Sequence, residues 1–264
     1  MNLSKYTTVF KNSWQFNLEY RLDTLVRFLI ALISLISVFY LWNDIFADKA
    51  EMLGYSKDQI VTYYIIVGYL FASIYAGLPT AQEIQDGSLS IYITKPISFI
   101  LYSYWQSLAK KVFRLIIGLP IILFIFFIYS DNLYLVTDPK AYLILIITIF
   151  FAINILFLFD ILIGFIEFWM MHSASIVMIT DSIVAFFAGT LIPIVFLPNY
   201  IQQIANYLPF KYTGFFLIDA FLGRLGTEEI IFGIGIQIAW TLALMLIVKI
   251  VWIQGLKKYE AVGA

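Results

Sequence analysis

The chain of 264 residues has no cysteine, a single histidine (His172) and only 12% charged residues. Without cysteine it makes no disulfide, thiol nucleophile or iron–sulfur cluster, and with one histidine it builds no His/Cys zinc site. The formal net charge is −1. Nucleic-acid binding shows as a basic surplus, so that class of partner is excluded. What the chain has in excess is apolar: 62% of residues are hydrophobic, with 25 Phe, 18 Tyr and 6 Trp, and mean hydropathy is +0.92. A soluble domain carries about 25% charge and about 45–50% apolar residues, so this surplus must face lipid.

A bilayer core about 30 Å thick is crossed by roughly 20 apolar helical residues. Six stretches meet that requirement: 25–42, 60–78, 112–129, 141–165, 174–197 and 230–252. Each is continuously apolar, unlike the alternating strands of a barrel, so the expected fold is an all-α membrane protein of six transmembrane helices in one domain, 1–264. The 24 residues before the first span carry Lys5, Lys11, Glu19, Arg21 and Asp23, and no small-residue cleavage site follows that span, so a removable leader is not expected. Counting Lys and Arg, eleven fall on the side of the N-terminus and five (Lys49, Lys57, Lys140, Lys211, Arg224) on the other. Basic residues are retained in the cytoplasm, which predicts both termini inside.

Three segments between spans carry their own pattern. Tyr6, Val9, Phe10, Trp14, Leu18 and Leu22 recur every three or four residues opposite Lys5, Lys11, Asn12, Gln15 and Glu19, predicting an amphipathic helix over 3–24 that lies in the headgroup layer. After the second span, Gly87 permits a sharp turn and Ser88 opens a short helix that Pro96 closes, with Leu89, Tyr92 and Ile93 on one face and Glu83, Asp86 and Lys95 at its rim. A helix this short needs a partner surface. Residues 198–229 predict two short re-entrant helices, one after Pro198 and one from about Thr213 to Leu222.

These segments, in this order and on these sides, resemble the membrane subunit of type-2 ABC exporters. The resemblance rests on the amphipathic N-terminal helix, on Glu83, Asp86, Gly87, Leu89, Lys95 and Pro96, on the run Leu208 to Gly214, and on the ending Gly255-Leu256-Lys257-Lys258-Tyr259-Glu260, which is similar to that of one bacterial subgroup. It implies a bacterial inner or cytoplasmic membrane location, a dimer with a second permease, same or related, whose interface is the translocation route, and a separate ATP-binding subunit. Glu83, Asp86, Gly87, Leu89, Tyr92, Ile93 and Pro96 would form the coupling helix that docks on that subunit. The chain has no phosphate-cradling Gly-x-x-x-x-Gly-Lys-Ser/Thr run, so no cofactor is expected on it and ATP and its Mg belong to the partner. The expected cargo is hydrophobic or amphipathic: a lipid, peptide antibiotic or drug.

Charges within lipid are rare and functional by default. Here they are Arg27, Arg114, Asp160, Asp181 and Lys249, joined by polar Asn154 and Gln237. Asp160 and Asp181 lie at similar depth, and either is expected to pair with Arg27 or Arg114. The same two acids support the competing reading, a proton-coupled secondary transporter with no ATPase. Glu167 and His172 fall in the short 166–173 turn and Glu228-Glu229 is the one paired acid; with no second histidine, none of them composes a hydrolytic site.

Overall fold

A computed structural model describes residues 3–47, 49–75, 77, 80–130, 133–170 and 174–259. The chain begins with α1 (Leu3–Glu19), which breaks at Tyr20 before α2 (Arg21–Ile45). A two-strand hairpin follows, β1 (Glu51–Met52) and β2 (Tyr55–Ser56), with Glu51 opposite Ser56 and Met52 opposite Tyr55. Leu53 and Gly54 both turn with positive φ (50° and 77°), as a two-residue hairpin loop requires. Next come α3 (Lys57–Ile74), α4 (Thr80–Gln85), α5 (Leu89–Ile93), α6 (Phe99–Ile128), α7 (Pro139–Phe165) and α8 (Ala174–Phe187). Two short helices, α9 (Asn199–Tyr207) and α10 (Phe215–Phe221), precede the last long helix, α11 (Thr227–Leu256).

Among the described residues, four helices are long and apolar enough to cross a membrane: Arg21–Ile45, Phe99–Ile128, Pro139–Phe168 and Thr227–Leu256. The expected spans 25–42, 112–129, 141–165 and 230–252 fall within or against them. The expected 60–78 corresponds to α3, which starts on the polar Lys57-Asp58-Gln59 and stops at Ile74; residues 76, 78 and 79 lie outside the described residues. The expected 174–197 requires correction. Its helix, α8, ends at Phe187 after 14 residues, because Gly189 takes a positive φ of 77° and Pro193 cannot continue a helix. At 1.5 Å per residue α8 is about 21 Å long, and the apolar residues beyond it run in irregular backbone. The expected amphipathic helix over 3–24 is also shorter, since Tyr20 separates Leu22, 70% exposed, into α2.

Helix α3 is the most buried of the longer helices, with Ile60, Tyr63, Thr62 and Ser73 fully enclosed. Its tyrosines hold the irregular segment after α8: the Tyr63 hydroxyl donates to the Gly189 carbonyl (2.8 Å) and the Tyr64 hydroxyl to that of Leu191 (3.0 Å). The Phe215 amide donates to the Ala188 carbonyl (2.7 Å) and Thr190 to that of Ala185. Backbone leaving a helix in an apolar setting is stable only when such partners come from the protein itself. At the same end of the bundle the hairpin is fastened to α10: the Tyr55 hydroxyl donates to Asp219, Arg224 pairs with Asp219 (3.4 Å) and donates to the Gly54 carbonyl, and its guanidinium stacks 3.4 Å from the Tyr55 ring. The two short helices expected within 198–229 are present as α9 and α10, with a 310 turn at Phe210–Thr213 between them. Gln237, fully buried in α11, donates to the Thr148 carbonyl of α7 (3.1 Å) and to Tyr212 (2.8 Å), tying this turn to two long helices.

Gly214 sits where a Cβ would collide with the Ala188 carbonyl, which is main chain and has nowhere to go. Gly214→Ala is therefore expected to destabilise the fold by roughly 2 kcal/mol, read as a lower unfolding temperature in detergent. The same change at Gly235, which has open space around it, is expected to leave that temperature unchanged.

Candidate functional site

The segment 80–98 forms a foot at the other end of the bundle, where α7 and α11 finish. α4 packs on the end of α7 closely enough that a Cβ at Gly164 would overlap Thr80. The chain then reverses at Asp86-Gly87-Ser88. Gly87 has φ of 79°, a left-handed conformation that favours glycine, and the Asp86 carboxylate accepts from the Ser88 amide (2.9 Å), which lowers its pKa below the ordinary value. Ser88 precedes α5 as expected but makes no side-chain cap bond. Below α5, Ser98 starts α6 by accepting from the Leu101 amide.

The face that α5 turns inward differs from expectation. Leu89 has no exposed surface and, with Ile84, packs among Phe99, Ile161, Phe165, Phe168 and Val248. It is a wedge under α7 and α11, not an outward knob. Tyr92 also turns in, against Phe99 (5.6 Å between ring centres) and Tyr102 (4.6 Å). Ile91 and Ile93, 52% and 47% exposed, are the apolar groups the foot presents outward, with Lys95 and Pro96 exposed beside them. Ile91 was missed because five residues are too few for periodicity to decide which side faces in.

Tyr259, beyond the end of α11, reaches back to the turn. Its hydroxyl donates to the Gly87 carbonyl (2.8 Å) and accepts from the Ser90 amide (3.2 Å), while its ring meets Phe168 edge-on at 6.1 Å. Phe168 in turn lies so close to Gly255 that a Cβ there would overlap its ring. α1 reaches the other side of the foot: Lys5 donates to the Pro96 carbonyl (3.4 Å) and the Tyr6 hydroxyl accepts from the Ser98 amide (3.3 Å). It then lies along α6 through Phe10 on Trp105 (6.3 Å) and Trp14 on Phe113 (5.3 Å).

The intramembrane charges are arranged differently from the expected pairing. Arg27 pairs with Asp23 of its own helix at 3.0 Å, both well exposed. Asp181 accepts from the Tyr75 hydroxyl. One carboxylate oxygen of Asp160 is buried and unpartnered, and Lys111, which has no exposed surface, lies 3.5 Å from the Ile153 carbonyl. Arg114 is 3% exposed with its Nε unpartnered. Among the described residues no ion pair joins Asp160 or Asp181 to Arg27 or Arg114. Lys111 was counted only among the basic residues on the side of the N-terminus; the signal for its burial is the stripe Ser103, Ser107, Lys111, Gly118 along one buried face of α6. Asn154 bonds back to the Phe150 carbonyl (2.7 Å) and Glu229 accepts from the Gly226 amide at the start of α11 (2.8 Å); Glu229 thus caps a helix. His172 lies outside the described residues.

A family model described as ABC-2 family transporter protein matches residues 32–263. The chain belongs to the ABC-2 transporter family. No curated protein and no solved structure matches it. Domains of the ABC-2 family are membrane components, not ATPases, and normally work with an ATP-binding subunit. The foot that hangs from the bundle of this ABC-2 chain is thus a place to look for the contact with such a subunit.

Burial beside Tyr92, reinforced by the charge of Asp86, pushes Glu83 from 4.5 up to about 6. A raised carboxyl pKa means that the fold favours the neutral acid. Its ionisation therefore costs no stability below pH 4.5, costs progressively more from 4.5 to about 6, and costs the full amount above that. Glu83→Gln is expected to raise the unfolding temperature at neutral pH and to leave it unchanged near pH 4. Equal melting of both proteins across that range would contradict the assignment.

Proposed function

We propose that the chain is the membrane permease of an ATP-driven exporter in a bacterial cytoplasmic membrane, with six crossings and both termini in the cytoplasm. The crossings are α2, α3, α6, α7, α8 with the irregular 188–197 segment, and α11. Tyr63 and Tyr64 support the fifth, since they satisfy carbonyls that lipid would leave bare. Two such chains, identical or related, enclose the route between them, and the cargo is hydrophobic or amphipathic.

One observation carries the reading: the foot is built into the ends of α7 and α11 through Leu89, Phe168 and Tyr259, yet leaves Ile91 and Ile93 bare. A chain without its own phosphate-cradling loop has to receive work from outside, and a rigid projection with an exposed apolar tip suits that task. Ile91, Ile93, Lys95 and Pro96 touch the ATP-binding subunit. Glu83, Asp86, Gly87, Leu89 and Tyr92 shape the projection from within. Closure of the ATP-bound pair displaces the foot, and the displacement passes to α7 and α11 as a shift between inward and outward openings.

Ile91→Asp tests this. Ile91 is exposed, so the substitution leaves the fold within about 0.5 kcal/mol of the original, and it is expected to abolish co-purification of the ATP-binding subunit. Leu89→Asp breaks the bundle and does not probe docking. Undiminished co-purification with Ile91→Asp, or export that follows the proton gradient and ignores ATP depletion, would favour the secondary-transporter reading through Asp160 and Asp181.

A further inference from the structure

A second polar feature lies between α1 and α6. There a groove of about 660 Å³ is lined by Asn12 and Phe16 of α1 and by Gln106, Ser107 and Lys110 of α6. Its donors are unused. Among the described residues the Lys110 ammonium has no ion pair, and the Asn12 and Gln106 amides have no hydrogen-bond partner. The Ser107 hydroxyl, in a residue 3% exposed, is buried and unpartnered. Buried polar groups are normally satisfied, so an unpartnered hydroxyl lining a groove marks a missing acceptor.

The charges around the groove also leave a remainder. Lys110 lies within electrostatic reach of Arg27 and Arg114 and of two carboxylates, Asp23 and Asp160, and Lys111 within reach of Lys110, Arg114 and Asp160. Asp23 is taken by Arg27 at 3.0 Å, and Asp160 feels Lys111 more strongly than Lys110. Lys110 and Arg114 are left without a counter-charge, and Arg114 is almost wholly buried. An anion in the groove would restore the balance. It must offer several acceptor oxygens to an ammonium, two amides and a hydroxyl, a pattern that the multiple oxygens of a phosphate suit. Phe16 at the rim, 60% exposed, gives the same ligand an apolar flank.

We propose that this groove binds the phosphate headgroup of an anionic membrane lipid. The inference rests on the reading of α1 as a helix at the membrane surface, and not on the ATP-driven cycle. Phosphate is shared by lipid headgroups and free anions, but a groove walled by an amphipathic helix and an exposed Phe16 favours the lipid. Bound there, the headgroup ties α1 to α6 beside the foot.

The test is native mass spectrometry of the full-length protein after exchange into an equimolar mixture of phosphatidylglycerol and phosphatidylcholine. The original protein is expected to retain phosphatidylglycerol with roughly tenfold preference, the size of one charge-assisted hydrogen bond. Lys110→Gln is expected to lose that preference and Lys110→Arg to keep it. Should Lys110→Gln not fold, Gln106→Leu probes the same groove and is expected to weaken the preference. Equal retention of the two lipids by the original protein, or an unchanged preference in a folded groove variant, overturns the proposal. Displacement of phosphatidylglycerol by excess inorganic phosphate also overturns it, since the groove would then serve a soluble anion. None of these readouts requires the ATP-binding subunit, so their failure is distinct from failure of the coupling reading.

Discussion

Everything mechanical in this molecule passes through one joint, the hydroxyl of Tyr259 bonded to both sides of the Gly87 turn above a layer of aromatic rings. Leu89, Phe99, Phe165, Phe168 and Trp252 fill that layer, with Trp252 stacked on Phe99 at 5.3 Å and against Phe165 at 5.2 Å. Protein interiors packed this closely transmit displacement in place of absorbing it. A five-residue helix has no stability of its own, so α5 keeps its shape only because three other elements hold it. The foot is therefore held at its root, packed against the ends of α7 and α11.

The rest of the architecture follows from what lipid forbids. Where the backbone leaves α8 early, each carbonyl from Ala188 to Leu191 that lost its helical partner and is described above has regained one from α3 or α10. Charge is handled in the same way. Lys111 and Asp160 lie within electrostatic reach of each other inside the bundle, Arg27 closes on Asp23 at its surface, and the leftover positive charge collects beside α1.

Much of this was legible in the residues. Continuous apolar runs announce α2, α6, α7 and α11 because lipid demands that pattern and little else produces it. Gly87 and Pro96 bracketed the foot because each restricts the backbone in a way the turn needs. The failures are equally physical. Residues 188–197 read as helix because composition cannot distinguish a helix from irregular backbone whose partners, Tyr63 and Tyr64, are more than 120 residues away. The inward face of α5 was misjudged because its partners, Phe168 and Tyr259, arrive from distant chain.

The absence of cysteine makes the central claim directly measurable, because introduced cysteines carry the only labels. Spin labels at Gln82 on the foot and Ile253 near the end of α11, both exposed, report whether the two move as one body. With the ATP-binding subunit attached, the account predicts the same distance between these labels in the nucleotide-free and ATP-trapped states. A distance that changes between those states would show that the foot swings on its own, and would contradict a rigid joint.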